Sequence, residues 1–271
     1  LNFKKMRNFI LIFGTVVSAG FFIACGNEDK SGGINLDSLP PELKTIHQKY
    51  FSDNKNPEFY SEKSIYFFKN GEYDSAYACM NKAIYFSGQK PKYYLSLADL
   101  YLAANETKKS KQILQQCVKS DSTNVEALMK LGELFFLVKK YDSAMFYINR
   151  SILRDENNTR AYFAKGMILK ESGDTTSAVE AFQNVIESDA KYYNAYIQLG
   201  LLFAAGNNKI AIDYYNNALR MEPKSIEAMY NKAKFFQDIA DWKKAEEQYK
   251  NILLLNPQHQ DANFNMGYVY I

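Results

Sequence analysis

Residues 125–158 read VEALMKLGELFFLVKKYDSAMFYINRSILRDENN, and this stretch decides the fold of the chain. In its first half, apolar and small residues recur at spacings that place them on one face of an α-helix. These residues are Leu128, Leu131, Gly132 and Phe135. The second half repeats the pattern at Ala144, Ile148, Ser151 and Ile152. Between the halves, Asp142 or Ser143 can cap the second helix. The stretch therefore predicts a hairpin of two amphipathic helices.

Small residues occupy the places where the two helices of this hairpin must cross. Gly132, Ala144 and Ser151 allow two backbones to approach to about 8–10 Å. A single hairpin cannot bury its apolar face, so it needs copies of itself. The same pattern recurs in units of 34 residues, except for one unit that lacks a residue near 205–208. The predicted units are 57–90, 91–124, 125–158, 159–192, 193–225 and 226–259, followed by a partial unit at 260–271.

Three positions of each unit carry a specific pattern. An early, mostly aromatic position in the first helix holds Tyr60, Tyr94, Leu128, Tyr162, Tyr196 and Met229. A small position four residues later holds Ser64, Ala98, Gly132, Gly166, Gly200 and Ala233. A small position in the second helix holds Ala76, Ser110, Ala144, Ala178, Ala211 and Ala245. This period and pattern resemble the tetratricopeptide repeat (TPR). The resemblance implies an all-α fold, a right-handed α-solenoid of helix-turn-helix repeats over 57–271 with a concave inner surface.

The amino-terminal segment has the features of an export signal. Lys4, Lys5 and Arg7 precede an uncharged apolar run over 9–24, which is shorter than a membrane-spanning helix. The run ends in FIACG, which resembles the lipobox of bacterial lipoproteins. We therefore expect a signal peptide over 1–24 and lipidation of Cys25, and Gly26 implies the outer membrane by that family's sorting rule. The alternative is an ordinary cleaved signal or an uncleaved anchor.

Two short segments separate this signal from the repeats. Residues 25–38 are polar and rich in Gly and Ser, which predicts a flexible tether. Residues 39–56 begin with LPPE, and its two prolines are tolerated in the first turn of a helix. We expect a helix here that ends near Phe51 and caps the first repeat through Leu43, Ile46, Tyr50 and Phe51.

Composition and charge exclude several functions. The whole chain has a formal charge of +3, but removal of 1–24 leaves 30 basic and 30 acidic residues. This balance gives no basic excess with which to bind nucleic acid. His47 and His259 are far apart, and Cys79 and Cys117 lack the spacing of a metal site. No phosphate-binding loop or nucleophile motif occurs. We therefore expect no catalytic residue, no metal, no cofactor and no enzymatic activity.

The remaining candidate is the concave surface. The resemblance implies that this surface is lined by certain first-helix positions, which are apolar here across 163–204 and turn polar at Lys234. The candidate groove residues are Leu95, Met129, Glu133, Phe136, Phe163, Met167, Lys170, Ile197, Leu201, Tyr230 and Lys234. Exposed apolar surface of this kind marks interaction sites, so we expect a protein or peptide partner there. The chain is thus interpreted as a lipid-anchored scaffold of the cell envelope.

Two alternatives stay open at this stage. The repeats can be the recognition part of a longer enzyme or signalling protein whose functional domain follows residue 271. The apolar carboxyl-terminal end of the partial unit can also support self-association between copies of the chain.

Overall fold

The computed structural model describes residues 36–269, and the predicted signal peptide over 1–24, Cys25 and residues 270–271 lie outside this range. Within these residues the regular structure is helical, as the sequence predicts, with one short 3-10 helix and fourteen α-helices. The 3-10 helix covers Leu36–Ser38, the described end of the predicted tether. The α-helices are α1 (Pro41–Lys49), α2 (Pro57–Lys69), α3 (Tyr73–Phe86), α4 (Pro91–Ala103), α5 (Thr107–Ser120), α6 (Val125–Leu137), α7 (Tyr141–Ile152), α8 (Thr159–Ser172), α9 (Thr175–Ser188), α10 (Tyr193–Ala205), α11 (Ile210–Met221), α12 (Ile226–Asp238), α13 (Trp242–Leu255) and α14 (Gln260–Val269).

The chain divides into two units, residues 1–93 and 94–271. In the described part of the first unit, α1 packs on α2, and α2 forms a hairpin with α3. Leu39, Leu43 and Ile46 are buried against this hairpin, whereas Phe51 is 81% exposed. The expected contribution of Phe51 to the cap is therefore wrong, because α1 ends at Lys49 and Phe51 lies beyond it.

The second unit is a stack of helix hairpins. The pairs α6–α7, α8–α9, α10–α11 and α12–α13 each pack closely, and the second helix of each pair packs on the first helix of the next. The buried side chains form a series of local clusters, each shared by neighbouring hairpins. This arrangement is that of an α-solenoid, in which each repeat is stabilised by its neighbours.

Small residues stand where the helices cross, as predicted. A Cβ atom added to Gly132 would lie 2.5 Å from Cδ1 of Ile148, and one added to Gly166 would lie 2.6 Å from the ring of Phe182. In the first unit, the Ser64 hydroxyl donates a buried hydrogen bond of 2.7 Å to the carbonyl oxygen of Ala76. The small position of the sequence pattern is therefore the contact between the two helices of a hairpin.

The turn inside each hairpin contains one residue in the left-handed region. These residues are Gly71, Asn105, Lys139, Gly173, Asn207 and Ala240. Successive members are 34 residues apart until Asn207, and Ala240 follows after 33. The missing residue of the fifth repeat therefore falls after Asn207, directly before α11. There the first turn tightens, with a hydrogen bond of 3.0 Å from the Ile212 amide to the Lys209 carbonyl.

The expected cap of the hairpin at 125–158 is wrong. Helix α7 begins at Tyr141 with Lys140 at the N-cap, and no side chain bonds to the free amides there. Asp142 lies inside the first turn, where its negative charge interacts favourably with the helix dipole. Elsewhere Asn124, Asn158, Asp174, Ser225 and Asp241 supply side-chain caps.

Candidate partner-binding surface

The predicted groove residues all lie on first helices of the second unit, namely α4, α6, α8, α10 and α12. Neighbouring first helices contact each other directly, α6 with α8 and α10 with α12. Their side chains therefore form a surface that continues from one repeat to the next. We call the face made by these helices the first-helix face.

Three of the predicted groove residues are not accessible on this face. Met129, Phe163 and Ile197 are 1%, 6% and 2% exposed. The Phe163 ring packs against the ring of Phe182, with 5.4 Å between centroids, and against Tyr192, the N-cap residue of α10, with 5.1 Å between centroids. The prediction that they line a groove is wrong, because the following hairpin covers this position and uses it for stacking.

The other eight residues keep accessible surface. The apolar members Leu95, Phe136, Met167, Leu201 and Tyr230 are partly buried, Glu133 and Lys170 are also partly buried, and Lys234 is exposed. Two of the charged members are held by neighbours. The Lys170 ammonium donates to the side-chain oxygen of Gln198 at 2.8 Å, and Lys234 pairs with Asp238 at 3.2 Å. Their part in partner binding stays a prediction.

Charged residues of three first helices form a connected network on the same face. The Arg160 guanidinium on α8 donates to both carboxylate oxygens of Glu133, at 3.0 and 2.9 Å, and reaches Glu126 at 3.2 Å. The Lys130 ammonium on α6 lies 2.7 Å from Asp99 on α4 and 3.6 Å from Glu126. We call these five residues, Asp99, Glu126, Lys130, Glu133 and Arg160, the charge ladder.

The contacts of the ladder join different repeats, apart from the Lys130–Glu126 pair within α6. A bidentate pair between a guanidinium and a carboxylate fixes both side chains more firmly than a single contact. Burial raises the pKa of Glu133, and the neighbouring Arg160 counteracts this shift. With three carboxylates and two cations, the ladder is slightly acidic. It therefore links α4, α6 and α8 and adds charged side chains to the first-helix face.

The ladder was not anticipated from the sequence, although a signal for it exists. Glu126 and Arg160 occupy the same position in consecutive repeats, 34 residues apart. Opposite charges at the same position of two consecutive repeats predict an ion pair between those repeats.

The described residues offer little reactive chemistry. Among them, no group of three or more His, Cys, Asp and Glu side chains could hold a metal ion. Burial raises the pKa of the Cys117 thiol to about 11, so this thiol stays protonated at neutral pH. The ring of His259 accepts a hydrogen bond of 3.2 Å from the Ala262 amide at the start of α14, which is a structural role.

Comparisons with known proteins agree on the repeat. A family model described as tetratricopeptide repeat matches residues 91–124 and 159–192, the bounds of two predicted units. A TPR repeat-containing protein, MJ1428 of Methanocaldococcus jannaschii, is 26% identical over 174 residues, which cover 60% of this chain and 30% of the relative. The chain thus spans about a third of the length of this curated relative.

Solved structures show the same fold. The C-terminal part of a TPR repeat-containing protein from Cytophaga hutchinsonii has a TM-score of 0.65 at 18% identity, covering 81% of this chain and 91% of that one. YrrB, whose structure is described as a TPR protein with an unusual peptide-binding site, has a TM-score of 0.56 at 18% identity, covering 69% of this chain and 96% of its own. The architecture is therefore that of stacked helical repeats.

Proposed function

From the premise that the chain carries tetratricopeptide repeats, we propose that it is a scaffold that binds a protein or peptide segment on the first-helix face. The observation that carries this proposal is the line of partly exposed apolar side chains on consecutive first helices, Phe136, Met167 and Leu201, beside the charge ladder. Methionine and aromatic side chains on a rigid surface are adaptable anchors for a partner. YrrB supports the proposal by showing a peptide-binding site on the same fold.

The partner segment is expected to be amphipathic. Its apolar side chains would contact Phe136, Met167 and Leu201, and its polar side would lie along the ladder. Phe163 and Ile197 would contribute only indirectly, since they are buried. Lys170 would pair with a carboxylate of the partner beyond the end of the ladder, since its neighbour Gln198 is uncharged, whereas Lys234 would have to exchange Asp238 for such a carboxylate.

The test compares crosslinking from intact envelopes for two double variants. Met167→Glu with Leu201→Glu should abolish capture of partners, because two charges would be buried against apolar side chains. The control is Phe146→Glu with Leu254→Glu, which changes exposed apolar residues on second helices (56% and 82% exposed) and should leave capture intact. Circular dichroism must show folded protein in both cases. Equal capture by the two variants would sink the proposal.

We further propose that the chain acts at a bacterial cell envelope, anchored by lipid on Cys25, with the outer membrane as its destination. The support is the sequence pattern around Cys25. None of the helices among residues 36–269 is long and apolar enough to cross a bilayer. A lipid at the amino terminus would place the repeats at the membrane face where envelope complexes are assembled.

A second candidate function follows from coverage of the relatives. Because the chain matches only 30% of the length of the archaeal relative, the repeats can also be the recognition part of a longer enzyme or signalling protein. Sequencing the complete open reading frame separates the two candidates, since a catalytic or DNA-binding domain after residue 271 would favour the second. Self-association through the last repeat is tested by the mass of the protein in solution.

A further inference from the structure

Helix α5 differs in charge from the other second helices of the second unit. It carries four lysines, Lys108, Lys109, Lys111 and Lys119, and no acidic residue between Thr107 and Ser120. The helices α7, α9, α11 and α13 each contain at least one Asp or Glu. A concentration of positive charge on one helix is therefore a local feature of a chain whose repeats are otherwise balanced.

Most of this charge is not neutralised within the described part of the chain. Lys109 pairs with Glu106 at the start of the helix, but its side chain is 55% exposed and its ammonium has three donors, so it can pair with a second carboxylate as well. The other three lysines have no carboxylate within 4.0 Å among residues 36–269. Asp121, just after the helix, is engaged elsewhere, since it accepts hydrogen bonds from the amide and hydroxyl of Thr123 at 3.0 and 2.7 Å. The outer face of α5 therefore presents uncompensated positive charge to solvent.

The same face forms a shallow depression. It is lined by Tyr101 of α4 and by Lys109, Gln112, Ile113, Gln115, Gln116 and Lys119 of α5. The polar residues 109, 112, 116 and 119 are three or four positions apart, so they follow one side of the helix. Tyr101 and Ile113 give the depression an apolar floor, and the Lys109 ammonium lies 5.4 Å from the centre of the Tyr101 ring.

This combination fits one kind of occupant. Glutamine amides both donate and accept hydrogen bonds, so they can bond the amide and carbonyl groups of an extended peptide backbone. Lys109 and Lys119 are ten positions apart, or about 15 Å along the helix. An extended peptide covers that distance in about four to five residues. A lipid surface would use the lysines but would leave the glutamines and the apolar floor without partners.

We propose that the outer face of α5 is a second binding site, which takes an extended acidic segment of a protein partner with carboxylates about four to five residues apart. The site is separate from the first-helix face, because none of its lining residues belongs to the predicted groove. A scaffold with two such sites can hold two segments at once, of one partner or of two.

The test is fluorescence anisotropy of the full chain with a labelled Gly/Ser/Thr peptide that carries two glutamates about five residues apart. Lys109→Glu with Lys119→Glu should weaken binding about tenfold, because two attractions become repulsions. The matched control is Lys224→Glu with Lys243→Glu, which changes exposed lysines elsewhere by the same charge and should shift binding by less than about twofold. Equal loss in both variants overturns the proposal, since it would show attraction to overall charge only.

Two further measurements separate the other occupants. Gln112→Ala with Gln116→Ala should also weaken binding of the peptide, as backbone recognition requires, and a peptide with glutamines in place of glutamates should not bind. If the wild-type chain binds vesicles of anionic lipid but not the glutamate peptide, the face is a membrane contact and the proposal is wrong. If sedimentation shows dimers that the Lys109 and Lys119 variant loses, without peptide binding, a second copy is the occupant and the proposal is equally wrong.

Discussion

Gly200 lies against the ring of a buried tyrosine. A Cβ atom there would be 2.4 Å from Cε1 of Tyr215, which is itself 1% exposed and cannot move without disturbing the core. We expect Gly200→Ala to lower the free energy of unfolding by about 1–3 kcal/mol, even though alanine favours helices over glycine. Urea unfolding followed by circular dichroism measures the change.

Gly206 supplies the control for this substitution. The nearest atom to an added Cβ is the carbonyl oxygen of Phe203 at 3.6 Å, which is an ordinary contact. Gly206→Ala should therefore leave stability unchanged or slightly raised. If both variants are equally stable, the close crossing of α10 and α11 does not exist as described.

Asp174 at the N-cap of α9 gives a prediction of pH dependence. Its carboxylate accepts a hydrogen bond of 3.1 Å from the Ser177 amide, and hydrogen bonding by Ser177 lowers the pKa of this carboxyl. Because the pKa is lower in the folded state, the ionised cap stabilises the fold at pH values above the usual pKa of an aspartate. This contribution is lost as the pH falls through the folded pKa.

The variant Asp174→Asn keeps an oxygen acceptor that does not titrate. The difference in unfolding free energy between the wild type and Asp174→Asn should therefore be constant near neutral pH and should shift in favour of the variant as the pH falls below about 4. Urea titrations at a series of pH values measure it. A difference that does not vary with pH would mean that Asp174 is not an ionised cap.

At the scale of the helix, the sequence pattern predicts which residues face a neighbour but not how far that neighbour extends. The small positions, from Ser64 to Ala233, were correctly predicted because contact between two helices of one hairpin depends only on the helical period. Met129, Phe163 and Ile197 were misplaced because their burial depends on the overlap of the next hairpin. That overlap arises from packing between repeats, which the period of a single helix does not contain.

The charge ladder joins neighbouring first helices, and a double substitution tests its contribution to stability. Arg160→Met keeps the apolar stem but leaves Glu133, whose side chain is 17% exposed, without its bidentate partner. Since Arg160 is itself 42% exposed, we expect a loss of only about 1–2 kcal/mol of unfolding free energy. Adding Glu133→Gln should recover much of this loss, because the unpaired charge is then gone.

The control for the ladder is an exposed pair on a single helix. Lys234→Met removes the partner of Asp238, and both side chains are about half exposed, so the change in unfolding free energy should be below about 0.5 kcal/mol. If Arg160→Met lowers the unfolding free energy no more than Lys234→Met does, the ladder does not hold the repeats in register. The same conclusion follows if adding Glu133→Gln to Arg160→Met lowers the unfolding free energy further.

For the molecule as a whole, the repeat period predicts the hairpins and their order, but it does not predict two other features. The division near residue 93 leaves no mark in the repeat pattern, since the unit 91–124 continues it without interruption. The basic face of α5 was also missed, because a neutral total charge conceals an uneven distribution. Both depend on which residues fill the variable positions of each repeat, and the repeat period carries no information about those positions.

Membrane attachment is the prediction that concerns the chain as a whole. Each methylene of an acyl chain buried in a bilayer contributes about 0.8 kcal/mol, so several chains on Cys25 would hold the repeats firmly at the membrane. Cys25→Ala should therefore move the protein from the membrane fraction to the soluble fraction and abolish incorporation of labelled palmitate. Cys117→Ala is the matched control, because this buried free thiol should not affect either readout. Palmitate labelling that persists in Cys25→Ala, or a wild-type chain that is soluble and unlabelled, would contradict lipid anchoring.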